Sequence, residues 1–245
     1  MIVAGLILIA GAIVAYFIRD DRRQLASFKA LAGTAARQAR YRRWIVKGFA
    51  IFAGTTVLGL LMIGRIEAVV HFPPEFLPLA ARLPRYSLDR DGLFFGMMAG
   101  AMLAGGVIGG LLTRLRKGRK PIMLGDIAAI LPRNRAELGW GAVLAVNAGV
   151  TEELFFRLLL PLLLVLATGN VLFAFAAATL IFGLVHFYQG WVGVIATTLV
   201  GALLCFLYLA SGSLLVAISV HILIDLNGLV LRPMMAGAWR TGSAA

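Results

Sequence analysis

Residues 191–210 read WVGVIATTLVGALLCFLYLA, twenty positions without one charged side chain. A bilayer core takes about 20 predominantly apolar residues as a helix, so this stretch is long enough to cross one. On either side of it stand further candidate spans: Ile2–Ile18, Trp44–Gly64, Leu93–Thr113, Leu138–Ala167, Val171–Phe187 and Leu214–Leu231. With Trp191–Ala210 they make seven, or eight if Leu138–Ala167 breaks, since that stretch is long for one span and carries charges in its middle. The 245 residues are 61% hydrophobic and 14% charged, with a mean hydropathy of +0.93. A soluble domain is nearer half apolar and a quarter charged. Disordered chains are poor in apolar residues. Both classes are excluded, and the expected fold is all-α, a polytopic transmembrane helical bundle.

The net charge of +12 would suggest nucleic acid in a soluble protein. Here its distribution says otherwise. Arg19, Arg22, Arg23, Lys29, Arg37, Arg40, Arg42 and Arg43 lie between the first two spans, and Arg114, Arg116, Lys117, Arg119, Lys120, Arg133 and Arg135 between the third and fourth. The loop between these two, residues 65–92, balances Arg65, Arg82, Arg85 and Arg90 against Glu67, Glu75, Asp89 and Asp91. Fifteen bases against four place the first pair of loops in the cytoplasm. Arg232 and Arg240 then fall inside as well, as an odd number of spans requires. The first segment lacks a basic stretch before it, so it reads as an uncleaved anchor with the N-terminus outside. The charge orients the chain, and nucleic acid is not an expected partner.

Residues 24–43 read as an amphipathic surface helix with Leu25, Phe28 and Leu31 on one side. Gly92, Gly96 and Gly100 are spaced by four, as are Gly105 with Gly109 and Gly106 with Gly110. That spacing lets helices approach closely. His71 sits in a turn before Pro73 and Pro74 and is assigned no chemistry. The single cysteine, Cys205, excludes an intrachain disulfide.

Between Leu138 and Leu231 the ionisable side chains are Glu152, Glu153, Arg157, His186, His221 and Asp225. A charge at the bilayer centre costs about 2.5–3.5 kcal/mol even on lenient scales, so these residues should face the bundle interior or a wet cavity. Glu153 and Arg157 are four apart and can pair on one helical face; His221 and Asp225 share a face in the same way. Phe182, four before His186, packs beside it. Glu152 points about 100° away from Glu153, which leaves it free as a candidate general base. There is no HExxH, no Ser nucleophile motif and no Walker or Rossmann glycine pattern. Carboxylate and imidazole together can activate water, bind a divalent metal, or carry protons in a transporter.

Glu152-Glu153-Leu154-Phe155-Phe156-Arg157 fits EExxxR, Phe182 to His186 fits FxxxH, and His221 to Asp225 fits HxxxN/D. In this order on successive apolar segments they resemble the CPBP family. It comprises the type II CAAX prenyl endopeptidases and the bacteriocin-processing and immunity-type membrane proteins with the ABI domain. Residues 131–140, LPRNRAELGW, are similar to the approach to the first motif in bacterial members, and the resemblance spans residues 120–231. It implies an intramembrane endopeptidase in which Glu152 with His186 activates water, His221 and Asp225 stabilise the oxyanion, and Glu153, Arg157 and Phe182 support the site. No cofactor is required by this reading; a divalent metal such as Zn²⁺ on Glu152, His186 and His221 is its alternative. Asp225 stands where the eukaryotic enzymes carry Asn.

The expected organisation is residues 1–119 as membrane segments with basic cytoplasmic loops and 120–235 as the protease core. The expected substrate is a hydrophobic, lipidated or membrane-tethered protein or peptide met in the lipid bilayer. The compact Ala-, Gly- and Leu-rich chain suggests a bacterial plasma membrane, where farnesylated CAAX proteins are not the natural guess. The rival readings are a non-catalytic scaffold or immunity factor and a proton-coupled transporter.

Overall fold

The computed structural model describes residues 1–87, 89–115 and 127–238, Arg22 by its backbone alone. The loop bases Arg116, Lys117, Arg119, Lys120 and Arg240 lie outside these residues. The described chain is helical and has no strand. Its main segments are α1 Ile2–Lys29, α2 Thr34–Met62, α3 Gly92–Leu115, α4 over residues 135–168, α5 Val171–Val185, α6 Phe187–Ser211 and α7 Leu214–Ala236. Five of these (α1, α2, α3, α6 and α7) are long and apolar enough to cross a membrane. The other two expected spans differ for physical reasons. α5 has only 15 residues, and α4 carries its charges at mid-length. The fold is the expected all-α polytopic bundle.

The long fourth stretch does not break. Arg135–Glu153 is α-helical, Leu154–Leu159 is a π-helical segment, and Leu160–Thr168 is α-helical again. It starts on a cap in which the Asn134 side chain accepts from the Glu137 amide at 3.0 Å, while the Glu137 carboxylate accepts from the Arg133 amide at 3.0 Å. It ends at Gly169, whose φ of +69° is left-handed and so suits glycine. Asn170 caps α5 directly afterwards by accepting from the Phe173 amide.

α4 lies at the centre of the bundle. Its first half packs on α2 and α7, its second half on α1 and α5, and α5 packs along α6. Phe155, Phe156, Leu158, Leu159, Leu162 and Leu163 are buried in one core with Phe52, Phe175, Phe182 and Tyr208. Each such apolar side chain taken into close packing gains many weak dispersion contacts, the main attraction available where lipid is as apolar as the core.

Three expectations need correction. Residues 24–43 are not one surface helix: α1 runs on to Lys29, and α2 begins at Thr34. Leu25 and Phe28 are buried and Leu31 packs on them, as their common face suggests, but together with Tyr41 and Ile130. Arg37 is not a loop base. It is completely buried, its Nε within 3.1 Å of both Glu137 carboxylate oxygens, its guanidinium donating to the Ala129 and Leu131 carbonyls and lying 4.3 Å from the Phe28 ring centroid. Of the α3 glycines, only Gly106 and Gly110 are buried, against α7, where a Cβ would run into Asn227 and Met235 respectively. Gly92, Gly96, Gly100 and Gly105 face open space.

Candidate active site

The second half of the bundle brings the six ionisable residues together from three helices. Glu152 and Glu153 end the first α-helical part of α4, Arg157 lies in its π segment, His186 stands where α5 ends, and His221 and Asp225 lie on α7 just before its own π segment, Asn227–Leu231. π segments are uncommon and recur at functional sites, because the wider turn re-aims side chains. Two of them here directly follow motif residues.

Glu153 is the buried hub, with no exposed surface. Its Oε2 lies 3.1 Å from Arg157 Nε, the expected pair one turn along the helix. Its Oε1 accepts from His221 Nδ1 at 2.7 Å, a bond between α4 and α7 that sequence spacing does not show. Arg157 is held further by the Phe182 ring, 4.0 Å from its guanidinium carbon, and by donating to the Gly201 carbonyl at 3.4 Å. Phe182 also sets its ring 4.9 Å from His186 and edge-on to His221 at 5.9 Å.

The other three residues face a less enclosed side. The side chains of Glu152, His186 and Asp225 keep 18%, 15% and 30% of their surface exposed, against 6% or less for Glu153, Arg157 and His221. His186 Nδ1 lies 2.8 Å from the Phe182 carbonyl. A carbonyl only accepts, so Nδ1 carries the proton and Nε2 presents a lone pair in the neutral ring. That Nε2 is 3.9 Å from Glu152 Oε2, a buried oxygen with no hydrogen-bond partner. His221 Nε2 is 3.8 Å from Asp225 Oδ2. Both gaps are too long for a direct hydrogen bond.

All seven residues singled out in the sequence thus belong to one assembly. Among the described residues no group of three or more His, Cys, Asp or Glu side chains is placed to hold a metal ion. Sequence reasoning missed Tyr188, whose ring lies 5.9 Å from His186 and packs towards the α1–α2 cluster. It also missed the Arg37–Glu137 pair. The spacing of Asn134 and Glu137 is that of a capping box and could have revealed Glu137; Arg37, 100 positions away, carries no such signal.

A membrane-spanning bundle with a carboxylate and imidazole cluster inside it defines a class of intramembrane proteins with an acid–base site. Residues 134–227, less than half of the chain, match the family described as Type II CAAX prenyl endopeptidase Rce1-like, and the match supports the resemblance to the CPBP family. The match begins at the α4 cap and contains all six ionisable residues. No curated protein and no solved structure matches the chain. At the coarse level this match supports a peptidase, and the apolar helices support a membrane protein.

Proposed function

We propose that the protein is an intramembrane endopeptidase that hydrolyses a peptide bond in a hydrophobic, lipidated or membrane-tethered substrate. One observation carries the reading: the partnerless Glu152 Oε2 stands 3.9 Å from the lone-pair nitrogen of His186, itself locked by the Phe182 carbonyl. A water at about 2.8 Å from both spans that gap. Glu152 takes its proton as the oxygen attacks the scissile carbonyl, and later returns it to the leaving amine. His186 Nε2 holds the water's lone pairs in line by accepting a hydrogen bond from its other O–H, which stays on the oxygen.

The negative charge that develops on the carbonyl oxygen needs donors. His221 gives Nδ1–H to Glu153, so a doubly protonated ring offers Nε2–H to the oxyanion. Glu153 lies against that cationic ring, and Asp225 near its other edge completes the support. Arg157 offsets the Glu153 charge, and Phe182 holds Arg157 and both imidazoles in place. No step runs through a metal.

Residues 120–235 carry the chemistry in this reading, and residues 1–119 anchor and enclose it. The N-terminus lies outside and the C-terminus inside a bacterial plasma membrane. Comparative mapping of new N-termini among membrane proteins, with wild type and with Glu152→Gln, tests the reading. Termini found only with wild type support it; identical sets exclude proteolysis and leave a scaffold or immunity role.

A further inference from the structure

Arg114, Arg135 and Arg232 have no part in the site above, and none of them meets a carboxylate among the described residues. They surround two cavities at one end of the bundle, where the end of α3, the start of α4 and the end of α7 converge. The smaller, about 310 Å³, is lined by Thr113, Pro132, Arg232 and Pro233 among others. The larger, about 680 Å³, has Arg114 and Arg135 at its rim and Leu138, Ala142, Val230 and Met234 along its wall. Among the described residues no acidic side chain lines either cavity.

The chemistry of the larger groove is two-sided. Two guanidiniums on separate helices match a phosphate, and the wall between helices is apolar. Beside it α3 exposes Leu111, Leu112 and Leu115, the surface of a helix that meets lipid. A small anion would use the rim and leave the wall idle. A peptide laid along the wall would leave its backbone polar groups unmatched. A molecule with an anionic head and hydrocarbon chains uses both parts. We infer that this groove binds an anionic phospholipid, its phosphate between Arg114 and Arg135 and an acyl chain along Leu138, Ala142, Val230 and Met234. The inference is independent of the peptidase reading.

Native mass spectrometry of the full-length protein in mild detergent, titrated with phosphatidylglycerol or phosphatidylcholine, tests it. One phosphatidylglycerol is retained per chain, and phosphatidylcholine is not. Replacing both rim arginines, Arg114→Gln with Arg135→Gln, weakens retention about thirtyfold (about 2 kcal/mol). Gly139 lines the same groove and has open space where a Cβ would stand. Gly139→Leu therefore fills the groove, keeps the charges and favours the helix, and it too loses the lipid. Should the double arginine variant fail to fold, Gly139→Leu decides. Equal retention of the two lipids, or unchanged phosphatidylglycerol binding in Gly139→Leu, overturns the inference. Displacement of the lipid by millimolar inorganic phosphate also overturns it, in favour of a plain anion site.

Discussion

Glu153 Oε1 accepts a 2.7 Å hydrogen bond from His221 Nδ1 across 68 positions of sequence, while its Oε2 lies 3.1 Å from Arg157. One carboxylate thereby holds an imidazole on α7 and a guanidinium within α4. Removing it leaves Arg157 buried without its counter-charge and His221 without its orienting partner. Glu153→Gln is expected to cost roughly 3–5 kcal/mol, the usual consequence of breaking a buried pair from one side. A thermal melt in detergent should show a clear drop for Glu153→Gln and none for Glu152→Gln, whose Oε2 has no partner to lose. Equal melting of the two variants would refute this division.

Asp225 distinguishes two ways of supporting charge. Its oxygen lies 3.8 Å from His221 Nε2, with 30% of the side chain exposed. Asn at this position donates a hydrogen bond without needing a proton, so Asp225→Asn should keep substantial turnover and Asp225→Ala should lose it. If Asp225 served a divalent metal, Asp225→Asn would be inactive and rescued by added Zn²⁺. A cleavage assay with and without Zn²⁺ separates the outcomes.

Arg37 and the neighbouring bases make opposite predictions. Arg37 is buried on Glu137, whereas Arg42 and Arg43 are exposed. Arg37→Gln should destabilise the protein by roughly 3–5 kcal/mol. Arg37→Lys should not restore it, because a single ammonium cannot replace the forked contacts to Glu137, Ala129 and Leu131. Arg42→Gln and Arg43→Gln should melt with wild type. A melt of Arg37→Gln indistinguishable from wild type would return Arg37 to the role of a topology signal.

The loop between α2 and α3 contains an ion pair of Arg65 with Glu75, Arg65 Nη2 lying 2.7 Å from Glu75 Oε2. The Arg65 hydrogen bond holds the Glu75 carboxyl below its ordinary value of 4.5. A carboxyl lowered in the folded state adds stability above its unfolded pKa, and that stability is lost as pH falls through the folded value. Melts taken from pH 7 down past 4.5 and through the lowered Glu75 value should therefore converge for wild type and Glu75→Gln. A gap that stays constant with pH would remove the pair's contribution.

The distribution of exposed bases makes a prediction about topology. In a Cys205→Ala background, an impermeant thiol reagent added outside should label Arg82→Cys and not Arg43→Cys. The reverse pattern would invert the chain in the membrane.

The sequence makes local relationships readable and long-range ones opaque. The Glu153–Arg157 and His221–Asp225 pairs follow from spacing by four, and the apolar runs locate the helices. The contact of Glu153 with His221 depends on how α4 packs against α7, and no periodicity records that. Arg37 was misjudged because a buried arginine and a loop arginine have the same local context; only its distant partner Glu137 tells them apart. The intact length of α4 was equally hidden. Charges at mid-length suggest a break, yet the helix continues through a π segment, Leu154–Leu159. The α3 glycines show that small-residue spacing marks a possible close approach, which a partner helix realises only at Gly106 and Gly110.

The central claim is that Glu152 is the base that activates water. The most direct measurement is single-substrate cleavage in proteoliposomes, using a membrane protein whose new N-terminus is mapped with wild type, at matched amounts of folded enzyme. Glu152→Gln should lower the rate by about 10²–10⁴-fold with an unchanged melting temperature, because Gln keeps the shape and cannot take a proton. Cleavage by Glu152→Gln at the wild-type rate would contradict the account.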